Sequence, residues 1–192
     1  MRRSEQALAV AREFGNAFGS GLAICNLADA LRAQGDLGRA RALLEESLSS
    51  LRNLKQSVRI TNALVSTLAR LGSIKCEMGE DARAAELFGE SLRLMWRFVG
   101  RGYETGACLE GLARVAAMQG RPERAARLLG ASAALREETG TPLSPLVRTD
   151  HDHASRAALE ALGEQTFGAT WEEGYSMPIE ESIAEALSAH SG

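Results

Sequence analysis

The chain is poor in aromatic residues, lysine, proline and cysteine, and each shortage excludes something. Aromatics make up 5% of its 192 residues, so a core has to be built from leucine and alanine. Small core side chains with few β-branched partners favour closely packed helices over sheet. Only Lys55 and Lys75 are lysines; arginine supplies the rest of the 22 basic residues. The formal net charge is −3, which leaves no basic footprint for nucleic acid or for an anionic membrane surface. Cys25, Cys76 and Cys108 lie too far apart for CxxC or other zinc spacing, and they read as reduced, packed thiols. No apolar run approaches the roughly 20 residues that span a bilayer. Met1-Arg2-Arg3 runs into Ser4, Glu5 and Gln6 without an apolar signal-peptide stretch. The expectation is a soluble, cytoplasmic protein without a cofactor, a membrane contact or a direct nucleic-acid contact.

What the chain does have is an internal repeat. With 45% hydrophobic residues it is long enough for one domain or one continuous array. Aligning Gly35, Gly79 and Gly120 brings three segments into register. Eleven residues before the glycine stand Ile24, Leu68 and Leu109; eight before it stand Leu27, Leu71 and Leu112. Small residues follow at −7 (Ala28, Gly72, Ala113) and recur at +5 (Ala40, Ala84, Ala125). Large ones return at +8 and +9 (Leu43-Leu44, Leu87-Phe88, Leu128-Leu129), and serines at +12 (Ser47, Ser91, Ser132).

The large residues follow helical spacing, so each segment predicts two amphipathic helices with a buried stripe. The small ones mark where the two helices cross, and the glycine supplies the left-handed residue that ends the first. Asp36 reads as an N-cap and Pro122 as a first-turn residue of the second helix. The recurring serines read as a packing position rather than as nucleophiles.

Leu8 and Phe14 share the register of Leu48 and Leu54, and of Leu92 and Phe98. Residues 1–19 therefore read as a half repeat, followed by repeats at 20–56, 57–102 and 103–140. Its apolar face predicts an open end, with Leu8 and Phe14 as a homodimer contact. The register advances by 40, 44 and 41 residues from Leu8 to Leu48, Leu92 and Ala133. That exceeds the roughly 34 of a minimal tetratricopeptide repeat and touches the HEAT range. The glycine-centred turn with alanine five residues on favours an all-α, tetratricopeptide-like superhelical solenoid with lengthened helices; HEAT-like stacking is the alternative. Residues 141–192 read as a linker and capping helices: Leu146–Leu162, Glu164–Glu173, and one carrying Ile179, Ile183 and Leu187.

The stretch LEGLARVAAMQGRPERAARLLGASAALREETGTPLSP, followed by AALEALGEQTFGATWEEGYSMPIEESIAEAL, resembles the C-terminal region of large bacterial regulators. These are the predicted-ATPase (STAND-type) proteins, often described as LuxR-type or adenylate-cyclase-like. LAICNLADALRAQGDLGRARALLEESL and AREFGN fit too, so the resemblance covers nearly the whole chain. It implies a signal-receiving repeat region attached to an NTPase module and often to a DNA-binding helix-turn-helix. This chain departs from that architecture, having no GxxxxGK[ST] and no Gly-Lys dipeptide. ATP hydrolysis and DNA binding are therefore not carried over.

No acid–base pair or nucleophile stands out, and no enzyme is expected. Asp150-His151-Asp152-His153 is the one cluster of metal-ligand types. On a helix its imidazoles point about 200° apart, so no metal site is expected. It reads instead as a first turn with Thr149 as N-cap and Asp152 as its capping partner. A Cys–His pair is conceivable, and His190 sits near the C-terminus. The best candidate surface is the concave groove lined by the first helices. Offsets −10, −6, −3 and −2 give Cys25, Asp29, Arg32 and Ala33, then Ala69, Ser73, Cys76 and Glu77, then Glu110, Arg114, Ala117 and Met118. Asp29, Arg32, Ser73, Glu77, Glu110, Arg114 and Met118 are the candidate groove residues, with Arg32 and Arg114 suited to a carboxylate. Two functions follow: a non-catalytic scaffold for another protein or peptide, or a sensor that takes a small effector in the same groove.

Overall fold

The computed structural model describes residues 2–55, 57–98, 103–143 and 145–188. Among them the chain forms nine helices and no strand. They are α1 (Arg2–Glu13), α2 (Ala17–Ala33), α3 (Leu37–Arg52), α4 (Val58–Glu77), α5 (Asp81–Phe98), α6 (Tyr103–Met118), α7 (Pro122–Thr139), α8 (Pro145–Ser176) and α9 (Ile179–Ser188). Helices pair as hairpins, α2 with α3, α4 with α5 and α6 with α7, and the first members stack on one another. The result is an all-α, tetratricopeptide-like solenoid with α2, α4 and α6 as its inner layer.

Each hairpin turns on a glycine with positive φ: 80° at Gly35, 75° at Gly79 and 69° at Gly120. The following residue donates to the carbonyl five positions back: Asp36 to Leu31, Glu80 to Lys75 and Arg121 to Ala116, at 2.9–3.0 Å. The glycine N–H donates to the carbonyl three back, which satisfies the last turn of the first helix. The Asp36 carboxylate then accepts from the Arg39 N–H at 3.1 Å, and Pro122 occupies the first turn of α7.

The aligned small residues sit at the crossings. Ala28, Ala40, Ala84, Ala113 and Ala125 are all at or below 1% exposure. Gly72 meets the Phe88 ring from one side, where a Cβ would lie 3.0 Å away, and a methyl group on Gly111 would overlap the same ring. Phe88 thus fills a slot that two glycines leave open. The serines tie the second and third hairpins across their layers: Ser91 donates to the Val65 carbonyl at 3.0 Å and Ser132 to that of Gly106 at 3.2 Å. Ser47 is buried in the same position without a hydrogen bond.

The apolar register of the repeats ends at Gly140, whereas the glycine spacing continues to Gly163. Gly163 adopts φ 73°, ψ 162°, a region essentially confined to glycine, and divides α8 into residues 145–162 and 164–176. The first half packs against α6 and α7, and the second lies backbone to backbone on α7. A methyl group on Gly130 would overlap the Trp171 carbonyl, and one on Gly174 would overlap that of Arg127. α9 returns onto α7, where Arg124 donates to the carbonyls of Glu185 and Ala186 and so caps the end of α9.

Two expectations are corrected. α8 begins at Pro145, so Thr149 lies inside the helix and is not its N-cap; Asp150 follows in the second turn. Leu8 is 6% exposed and belongs to the first core cluster, because α1 packs against α2. Phe14 (78%), just past α1, and Val10 (53%) are the large apolar residues left open at this end. Among the described residues no helix is long and apolar enough to cross a membrane.

Candidate functional site on the inner face

Stacking the repeats brings polar side chains of α2, α4 and α6 onto one inner strip. Arg32 lies in the last turn of α2, Ser73 and Glu77 toward the end of α4, and Arg114 in the second half of α6. What they meet is Asp150 of α8, which is 2% exposed. Arg114 Nη1 donates to Asp150 Oδ1 at 2.5 Å, and Arg32 Nη2 stands 3.5 Å from the same oxygen. Ser73 Oγ donates to Oδ2 at 2.7 Å. Arg32 Nε donates in turn to Glu77 Oε1. One carboxylate is therefore shared by side chains from three successive hairpins.

A carboxylate can be buried there because both its oxygens are hydrogen-bonded and its charge is matched by guanidinium. In a solenoid most contacts join neighbouring repeats. The Arg32–Asp150 pair instead joins the first hairpin to the helix that follows the third. Beside it, Arg70 Nε donates to both oxygens of Asp29 at 3.0 and 3.2 Å, and Ser66 Oγ donates to Glu104 at 2.9 Å. A cavity of about 30 Å³, roughly one water in size, is bordered by Asp29, Arg32, Arg70, Ser73, Val147 and Asp150.

Of the candidate groove residues, Arg32, Ser73, Glu77 and Arg114 come together here, and Asp29 borders the same cavity through Arg70. Met118 stands apart at the α6–α7 turn, 49% exposed. Glu110 does not line the groove. It is 1% exposed and accepts from Ser132 Oγ and Arg136 Nε, each at 3.0 Å. Four residues turn a helix by about 400°, so position −10 drifts about 40° from position −6. That drift carries Glu110 into the contact with α7.

Sequence reasoning missed Arg70, Glu104 and Asp150. The first two fall at offsets outside those sampled, and Asp150 lies beyond the repeat register. Within its cluster, Asp152 and His153 face solvent, while His151 Nδ1 lies 3.6 Å from Glu110. Among the described residues no three His, Cys, Asp or Glu side chains group as a metal site. His190 lies outside the described residues.

The three thiols are buried. Cys25 lies 3.7 Å from the Thr67 hydroxyl and Cys108 donates to Ser91 at 3.2 Å. Burial pushes Cys108 up to about 12, and Cys76 likewise to about 12 against the opposing field of Arg114; Cys25 is raised for the same reason. A thiol so raised stays protonated and unreactive. The folded protein is expected to resist an aromatic disulfide reagent at mildly alkaline pH, and all three thiols to titrate once it unfolds. A fast native thiol would refute this packing.

Residues 63–138 match the tetratricopeptide repeat family, and residues 22–54 match a second tetratricopeptide repeat of that description. No curated protein and no solved structure matches the chain. The matched segments hold most of α2, all of α3, most of α4, α5, α6 and nearly all of α7. These helices, with their glycine turns and stacked inner layer, make the chain the bearer of a tetratricopeptide repeat region, a protein-interaction scaffold.

Proposed function

We propose that the inner face is the partner-binding surface of a non-catalytic scaffold, the signal-receiving part of a bacterial regulatory protein. The observation that carries this reading is the convergence of Arg32, Ser73 and Arg114, from three hairpins, on one carboxylate. Side chains from the inner helices of stacked repeats form the kind of extended surface with which solenoids recognise partners. The regulatory role is supported by the resemblance of Leu109–Pro145 and Ala157–Leu187 to the C-terminal region of STAND-type regulators. A small effector in the groove is the weaker reading. Ligand pockets usually hold about 300–1,000 Å³, and the cavity beside Asp150 offers about 30 Å³.

The test is site-specific photocrosslinking in cells. Benzoylphenylalanine replacing Glu104 on the inner face is expected to capture one defined partner. The same probe replacing Arg83, exposed on α5, is expected to capture none. Equal capture from both faces, or capture from α5 alone, would move the functional surface elsewhere.

A further inference from the structure

We infer that Arg32, Ser73 and Arg114 form a carboxylate receptor whose internal ligand is Asp150, and that a partner supplies an aspartate or glutamate side chain to take its place. This rests on the reading of the inner face as the partner surface.

The charges on that face decide the first step. Arg70 is matched by Asp29 and Arg32 by Glu77, whereas Arg114 depends on Asp150 for its counter-charge. Arg114 is 7% exposed. Withdrawing Asp150 alone would leave Arg114 without its counter-ion. An incoming carboxylate would restore that counter-charge, so exchange of one carboxylate for another is favoured over simple opening of α8. The geometry defines the incoming group: Arg114 and Ser73 engage different oxygens of the same carboxylate, so an acid must present both.

The way α8 is held says which part exchanges. Residues 145–162 lie between two breaks in helical backbone, the non-helical residues 141–143 and Gly163. Among the described residues of this half, the buried side chains besides Asp150 are small, with Ala154 and Ala158 at 0% exposure and Val147 at 9%. Alanines bury little apolar area, so the polar contact at Asp150 weighs heavily in seating this half. Residues 164–176 are held differently, by the backbone contact at Gly130 and Gly174 and by the Trp171–Tyr175 stack. Exchange is thus confined to the first half, with the second as its anchor. A water-sized cavity borders both Arg32 and Asp150.

The experiment uses the full chain, wild type and Asp150→Ala, with two probes. Sodium acetate, against sodium chloride at equal ionic strength, is expected to raise the thermal midpoint of Asp150→Ala saturably and to leave the wild type unmoved. A fluorescent hexaglutamate peptide is expected to bind Asp150→Ala about tenfold more tightly than the wild type. Adding Arg114→Ala should abolish both effects. Should Asp150→Ala fail to fold, the near-isosteric Asp150→Asn carries the peptide comparison. Acetate no better than chloride, or a peptide gain that survives loss of Arg114, overturns the receptor. A groove crosslink alongside acetate indifference would overturn the receptor alone. Acetate selectivity without a groove crosslink would overturn the partner's role.

Discussion

Replacing Gly130 with alanine is expected to destabilise the fold by about 3 kcal/mol or more, at the upper end of overpacking costs. Gly130 lies in the middle of α7, where the second half of α8 crosses it. An added methyl group would overlap the Trp171 carbonyl oxygen and approach the Tyr175 amide nitrogen at 2.7 Å. Both obstacles are backbone, so no side chain can swing aside and the two helices must separate. The reciprocal contact of Gly174 with the Arg127 carbonyl would open with them. For a chain of this size the loss corresponds to a fall in melting temperature of roughly 6–12 °C. Gly168→Ala is the matching control. It lies in the same half of α8, and a methyl group added there would meet no heavy atom within 4 Å. Removing backbone freedom there is expected to stabilise by about 0.5–1 kcal/mol. Thermal unfolding followed by helical circular dichroism measures both, and equal small effects would refute the close crossing.

Glu110→Ala is expected to cost about 3–5 kcal/mol, the range for removing one partner of a buried ion pair. The lost carboxylate accepts from Ser132 and Arg136, and the Arg136 side chain is 13% exposed. Its guanidinium would be left with its main counter-charge gone. Were Glu110 a groove residue, the same substitution would be nearly neutral for stability and would act on binding. Combining it with Arg136→Ala should recover part of the loss, since the stranded cation is then absent. Urea unfolding of the two single variants and the double variant tests this, and strictly additive losses would rule out the pair.

These two sites differ in how far they could be foreseen. The repeat positions were legible because their constraints are local. Glycine is demanded at residues 35, 79 and 120 by a left-handed turn within one hairpin, and alanine at 40, 84 and 125 by the adjacent crossing. Both recur at every copy, so one alignment exposes them. Arg32, Ser73, Glu77 and Arg114 were accessible by the same logic, as positions opposite the apolar stripe. Glu110 was misplaced because a helical period of 3.6 residues is not four. The resulting drift decides which layer a residue faces only once the neighbouring helix is in place.

The amino-acid pattern alone was enough to specify helical hairpins, their turns, their crossings and the strip of polar residues on the inner layer, because each depends on residues within one or two turns of one another. Only the tertiary structure could decide that Asp150 completes that strip, or that Gly130 and Gly174 let two backbones touch. Ser73 and Asp150 are separated by 77 positions, and no periodicity links them. Their meeting depends on how far the stacked repeats curve and where α8 lands on them, which the sum of all the helix packings sets.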